Sequence, residues 1–290
     1  MQVLKSGRGL RHRANGRNLL PCEGKRKLLP AAIIAFWKEF VHAFYAHRDL
    51  SSFGLKSRGL RAIILNKVVK ALNLKNKIVI CGHYGSGKTT FAVNLALRLA
   101  KEAGVTLIDL DIVNPYFRSS DYTDLLEQSG VRVVAPNFAG STLDTPSLPA
   151  EIGGALSQES GYVLIDAGGD DAGATALGCY AGEIADGGYD MLYVINARRE
   201  QIADPAGAEE ILRQIEATSR LRATGVVNNS HLCMETEADT VTGSLPYAKA
   251  VCERLGLPLV FTCYPDFLNS AIEGELPCPL PLTPVVKAPW

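Results

Sequence analysis

Seven short apolar runs between residues 77 and 263 leave few folds open to this chain: KIVICG (77–82), VTLIDL (105–110), VRVVAP (131–136), YVLIDA (162–167), MLYVINA (191–197), ATGVVNN (223–229) and LPLVFTC (257–263). Few polar residues interrupt them. Each therefore reads as a strand buried on both faces, not as the alternating strand of a half-exposed sheet. Stretches of helical periodicity separate most of them, including residues 89–103, DPAGAEEILRQIEATS (204–219) and LPYAKAVCERLG (245–256). Strand and helix in alternation predict an α/β fold, a mostly parallel sheet of about seven strands sandwiched between two layers of helices.

Charge divides the chain more sharply than hydropathy does. The 290 residues carry 30 Lys+Arg and 30 Asp+Glu, a net charge of zero. Residues 1–77 hold 17 basic and 3 acidic side chains, or +14, which leaves 13 against 27, or −14, for the rest. We read a basic extension over 1–75, partly disordered and partly helical, then a nucleotide-binding domain over 76–275, then a Pro-rich tail over 276–290. In the extension, AAIIAFWKEFVHAFYAH (31–47) spaces apolar and aromatic side chains as a helix would. Its aromatics suit a membrane surface better than base stacking, and its charge suits an anionic membrane or a nucleic acid. LLPAAIIAFW (28–37) is too short to cross a bilayer. The seven cysteines form no CxxC pair and no zinc or disulfide pattern, which fits a reducing cytoplasm.

The junction of the first apolar run with the first helix reads CGHYGSGKTTF (81–91). Gly82-x-x-x-x-Gly87-Lys88-Thr89 is a complete phosphate-loop pattern, and its place between strand and helix is the one its chemistry requires. Glycines let the backbone close on phosphate oxygens, and backbone N–H groups with a helix N-terminus supply positive potential. The expected nucleotide contacts are Gly82, His83, Tyr84, Gly85, Ser86, Gly87, Lys88, Thr89 and Thr90. Lys88 reaches the β- and γ-phosphates, and the Thr89 hydroxyl ligates Mg²⁺.

Three more strand ends add to the site. YVLIDAGG ends in Asp166-x-x-Gly169, in which Asp166 holds the metal shell and the Gly169 amide senses the γ-phosphate. LIDLD supplies Asp109 and Asp111 where strand ends converge on the ligand crevice, with Asp111 as metal ligand or water-orienting base. Arg118 lies close enough in sequence to reach phosphates or to form a structural ion pair. GVVNN places Asn228 where its amide can read a purine edge. A guanine-reading Asn-Lys-x-Asp would need an acid at the fourth position, where His231 stands, so adenine is the expected base.

The loop, IDLD, VLIDAGG, VINA before a helix, and VVNN, in that order, resemble the ParA/MinD/Mrp (CobQ/CobB/MinD/ParA) group of P-loop ATPases. More widely they resemble the class that holds signal-recognition GTPases, nitrogenase iron protein and dethiobiotin synthetase. The likeness spans residues 77–265. It implies ATP with Mg²⁺, slow hydrolysis that serves as a switch, catalytic roles for Lys88, Asp111 and Asp166, and often a nucleotide-dependent homodimer acting on a protein partner. A small-molecule ligase or kinase of the dethiobiotin-synthetase type and a GTPase of the same class are the alternatives. In the ParA/MinD group the loop reads Lys-Gly-Gly-x-Gly-Lys-Thr, and its first Lys reaches the partner's phosphates. Here His83 replaces that Lys and Tyr84 replaces a Gly; a neutral imidazole does not supply the same fixed charge.

Overall fold

The computed structural model describes residues 74–111, 118–135, 150–272 and 274–285. The expectations placed on the basic extension up to residue 73, on residues 112–117 and on 286–290 lie outside those residues.

Eight strands form one sheet: β1 (Lys77–Cys81), β2 (Val105–Leu110), β3 (Val131–Val134), β4 (Tyr162–Ala167), β5 (Tyr189–Ile195), β6 (Gly225–Asn228), β7 (Leu259–Pro265) and β8 (Pro279–Leu282). Their order is β3-β2-β4-β1-β5-β6-β7-β8. Every adjacent pair is parallel. The helices are α1 (Lys88–Leu99), α2 (Thr123–Gln128), α3 (Ala150–Leu156), α4 (Asp171–Cys179), α5 (Ala181–Ala185), α6 (Pro205–Ser219), α7 (Ala238–Thr242) and α8 (Leu245–Leu255).

The sheet is buried on both faces, as unalternated apolar strands demand. Along β1, Ile78 and Ile80 face a core completed by Phe91, Leu95 and Leu99 of α1 and by Leu126 of α2. Val79 and Cys81 face the opposite core, against α3, α4, α5, α6 and α8. This is period two read on both sides of one strand. Phe91 and Phe261 meet with ring centroids 5.8 Å apart and planes tilted by 55°. Full burial of aromatic and aliphatic side chains of this size contributes roughly 1.5–3 kcal/mol each. Tyr193 is fully buried, and its hydroxyl donates to the Ala208 carbonyl at 2.8 Å, tying β5 to α6.

The sheet has the parallel α/β form read from the sequence and extends by one strand at one edge. Residues 276–290 read as an extended tail beyond the domain, and the strand count read as about seven. Pro279–Leu282 instead forms an eighth strand beside β7, with Leu280 and Leu282 in the core. Two prolines are compatible with this strand because of their parity. Thr262 N–H donates to the Cys278 carbonyl at 2.9 Å, so even-numbered residues turn their backbone groups towards β7. Pro279 and Pro281 turn theirs outwards, where no ladder hydrogen bond is needed. The outward carbonyl of Pro281 accepts from Arg98, and the Asn94 amide bonds both backbone groups of Thr283 at 2.8 and 3.0 Å. Both anchors come from α1.

Candidate nucleotide site

Five strand ends meet on one side of the sheet, where ligands bind in open α/β folds. β1 runs into the loop 82–87, and β2, β4, β5 and β6 end at Leu110, Ala167, Ile195 and Asn228.

The loop turns on glycines that only glycine can occupy. Gly82, Gly85 and Gly87 have φ of 152°, 72° and 88°. A Cβ on Gly82 would sit 2.4 Å from the Val194 carbonyl, and one on Gly87 would sit 2.2 Å from Asn229 Nδ2. α1 then starts from Gly87 with no side-chain cap. Two helices carry side-chain caps, α4 where Asp170 accepts from Gly173 N at 2.8 Å and α6 where Asp204 accepts from Ala206 N at 2.8 Å and Gly207 N at 3.1 Å, while α2, α5, α7 and α8 start without one as α1 does. The first N–H groups of α1 have no helical acceptor, so α1 opens on a set of unfilled donors suited to an anion.

The loop's side chains are arranged around the same space. Lys88 is buried, and its Nζ donates to the His83 carbonyl at 3.2 Å. Burial lowers its pKa, while Asp166 and Asp111 oppose that shift. Ser86 Oγ is buried without a partner. Thr90 is buried too, and its carbonyl accepts from Asn94 Nδ2 at 2.9 Å. His83 folds back, with Nδ1 2.8 Å from the Tyr84 carbonyl. Tyr84 stands 55% exposed at the mouth of the loop.

Asp166 pairs in register with Asp109 across the neighbouring strand. Burial pushes its pKa up to about 7, and the nearby Asp109 pushes in the same direction, against the Ser119 hydroxyl, Lys88 and the Thr89 hydroxyl. Ser119 Oγ donates to Oδ2, while Oδ1 is buried with no partner. A buried carboxylate oxygen with an open lone pair beside the Thr89 hydroxyl is a donor set that fits a hard divalent cation. Such a site takes its other ligands from phosphate and water. Among the described residues no group of three or more His, Cys, Asp or Glu forms a separate metal cage.

Asp109 and Asp111 divide their roles. Asp109 accepts from the backbone N–H of Asp111 at 3.0 Å and of Ser120 at 2.9 Å, tying Ser120 to β2. Burial raises its pKa against those two hydrogen bonds. Asp111 is buried and reaches the loop after β4, where its Oδ1 would lie 3.2 Å from a Cβ on Gly168. Gly169 comes closer still to the phosphate loop: a Cβ there would meet Tyr84 N at 2.6 Å and Lys88 Nζ at 2.7 Å. The segment thus touches the loop through bare backbone. Arg118 uses its backbone N–H to donate to Asp121 Oδ2 at 2.9 Å.

Asn228 ends β6 with its amide engaged by neighbouring side chains. It is buried, its Nδ2 donates to Ser244 Oγ at 2.9 Å, and its Oδ1 accepts from Ser230 Oγ at 2.7 Å and Ser230 N at 3.3 Å. Its neighbour Asn229 faces the phosphate loop instead, donating from Nδ2 to the Ser86 carbonyl at 2.8 Å. Arg199, just after β5, donates from Nε to the Gly85 carbonyl at 2.6 Å. Sequence reasoning passed over Arg199 and Ser119 as site residues, and over Asn229 except as part of a motif comparison. The available signal was position alone: Arg199 and Asn229 follow strand ends on the ligand side.

No protein-family model and no curated protein matches the chain. Among solved structures it is similar to the cell division protein FtsY from Thermotoga maritima, with 21% identity over 68% of this chain and 67% of that one, at a TM-score of 0.42. It is similar to the signal recognition particle 54 kDa protein from Aeropyrum pernix, solved in complex with GDP, with 18% identity over 79% of this chain and 53% of that one, at a TM-score of 0.44. The kinase domain of VpsO shares 20% identity over 60% of this chain and 98% of that one, at a TM-score of 0.41. The architecture itself is carried by this chain's own strand order and loop: an α/β sandwich of the P-loop NTPase type, with an all-parallel sheet of eight strands.

Proposed function

We propose that the chain binds a nucleoside triphosphate with Mg²⁺ and hydrolyses it slowly as a nucleotide switch, with ATP as the expected nucleotide. One observation carries the proposal. The uncapped start of α1, the buried Lys88 and the unpartnered oxygen of Asp166 converge on one loop. The open Asp166 oxygen is costly without a ligand, since a buried polar atom lacking a hydrogen bond costs roughly 1–3 kcal/mol, and the buried Lys88 ammonium has the His83 carbonyl for one of its three donors. A triphosphate with its cation supplies the missing partners together.

Catalysis here is positioning and charge stabilisation, with little covalent chemistry for the protein. The open N–H groups of α1 bind phosphate oxygens, and Lys88 places a fixed positive charge on the β- and γ-phosphates. Thr89 and Asp166 are the residues that would hold Mg²⁺, which would neutralise phosphate charge there. Ser119 orients the Asp166 carboxylate through Oδ2 and leaves Oδ1 open. The Gly169 backbone, packed against Tyr84 and Lys88, is placed to respond to the terminal phosphate. Asp111 is the acid nearest this region from β2 and is assigned to orient the attacking water.

Calorimetric titration of Mg-ATP and Mg-GTP into the full chain, with Lys88→Ala as control, tests the reading. The expected result is a single site that prefers ATP, with affinity reduced at least about 100-fold in Lys88→Ala, the loss of two charge-assisted contacts. Absence of binding of either nucleotide to the unsubstituted protein would overturn the proposal. A preference for GTP would keep the site and reverse the base.

A further inference from the structure

We propose that His231 is a positioning residue that sets the phosphate loop by holding the Asn229 amide in one orientation; this rests on the nucleotide-binding reading above. Three consecutive hydrogen bonds make the connection. Asn229 Nδ2 donates to the Ser86 carbonyl at 2.8 Å, His231 Nε2 lies 2.8 Å from Asn229 Oδ1, and the Cys233 N–H donates to His231 Nδ1 at 3.2 Å. The two ends determine everything between them. A carbonyl only accepts, so Asn229 must show its NH₂ to the loop and its oxygen to the histidine. A backbone N–H only donates, so His231 must carry its proton on Nε2. The ring is neutral in this arrangement, in keeping with the burial that lowers its pKa to about 4.

The surroundings leave this chain little freedom. Asn229 and His231 are 1% and 7% exposed. Asn229 N–H donates to the Ile195 carbonyl at 2.8 Å, and His231 N–H donates to the Asn229 carbonyl at 2.9 Å. At the loop, the amide packs against Gly87, where a Cβ would come within 2.2 Å of Nδ2. The peptide between Ser86 and Gly87 is planar and trans, so a carbonyl held on Asn229 points the Gly87 N–H the opposite way. That N–H adjoins the unfilled donors of α1. Without a donor on Oδ1, the Asn229 amide is free to turn over, which would set oxygen against the Ser86 carbonyl. His231 prevents this. It stands three residues after Asn228, where a guanine-reading loop would place its acid, and here it bonds the residue that bonds the phosphate loop.

The relay is tested in the full chain with Mg-ATP and Mg-GTP, using whichever binds the unsubstituted protein. His231→Leu fills the space and removes the donor; affinity should fall about tenfold, the effect of one lost hydrogen bond with a buried acceptor left open. His231→Gln restores an N–H donor and should return affinity to within about threefold of the original. The His231→Leu/Asn229→Ala pair should bind no more weakly than Asn229→Ala alone, as residues acting in series do. In the unsubstituted protein, ¹⁵N-histidine NMR should show the Nε2–H tautomer, a reading that does not depend on any variant folding. Unchanged affinity in His231→Leu, no recovery in His231→Gln, additive losses in the pair, or an Nδ1–H tautomer would each overturn the relay while leaving the nucleotide reading intact. Failure of the unsubstituted protein to bind either nucleotide would overturn both.

Discussion

At Asp166 the candidate site holds a buried carboxylic acid. Its pKa, raised to about 7, exceeds the ordinary carboxylate value, so the folded state binds more protons than the unfolded state between about pH 4 and pH 7. Stability of the ligand-free protein should therefore fall as pH rises through that window and level off above it. Urea melts at intervals from pH 5 to pH 8 would show this slope, and Asp166→Asn should flatten it. If Asp166 holds the cation as proposed, it does so ionised, and Mg-nucleotide affinity should rise with pH up to about 7. Gly169 makes a second prediction. A methyl group in Gly169→Ala would press on Tyr84 N and Lys88 Nζ, and overpacking of this kind costs about 1–3 kcal/mol. Nucleotide affinity should fall at least about tenfold, read by calorimetry, because the displaced atoms belong to the phosphate loop. Lys88, Thr89, Asp166 and Gly169 stand out in the sequence because each sits at a fixed offset in one pattern, and the structure brings these four together. Arg199 and Asn229 do not stand out in this way. They bond backbone carbonyls 114 and 143 residues away, and no local periodicity encodes which strand end faces which. Asn228 shows the limit from the other side: its position at the strand end was readable, but the engagement of its amide by Ser244 and Ser230 was not.

Among the elements, β1 to β7 were readable because apolar runs without alternation have one common fate, a sheet covered on both faces. β8 was hidden by its composition. PLPL offers two residues without N–H groups, and such a segment normally reads as extended chain. Parity resolves the conflict, and parity depends on which edge receives the strand. The cost of misreading it is measurable. A chain ending at residue 275 would lack Leu280 and Leu282, both buried, along with the clip from Asn94 to Thr283. Leu280→Ala alone should lower stability by about 2–5 kcal/mol, the usual range for a buried leucine, with chemical denaturation as the readout. α6 offers a smaller and cleaner test. Asp204 caps its first turn through Ala206 and Gly207, and Asp204→Ala should cost about 1 kcal/mol with nucleotide binding unaffected.

For the whole molecule, the charge split is the largest feature that the sheet does not explain. Residues 1–77 carry +14 and the remainder −14. Among the described residues no helix is long and apolar enough to cross a membrane. Surface attraction to an anionic bilayer is worth about 1 kcal/mol per basic residue near it and is screened by salt. We expect the full chain to sediment with phosphatidylserine-containing vesicles at low ionic strength and to be released by added salt, while residues 76–290 remain in solution. Retention of that shorter chain on the vesicles would assign the contact to the acidic domain and remove the extension from the account. The proline strand sets a different boundary. With Pro279 and Pro281 facing outwards and Arg98 covering the Pro281 carbonyl, that rim offers a newcomer no N–H donor from either proline. Copies of this protein cannot readily grow into a continuous ribbon through it. An assembly on that flank has to be built from side chains meeting side chains, and so can be taken apart again.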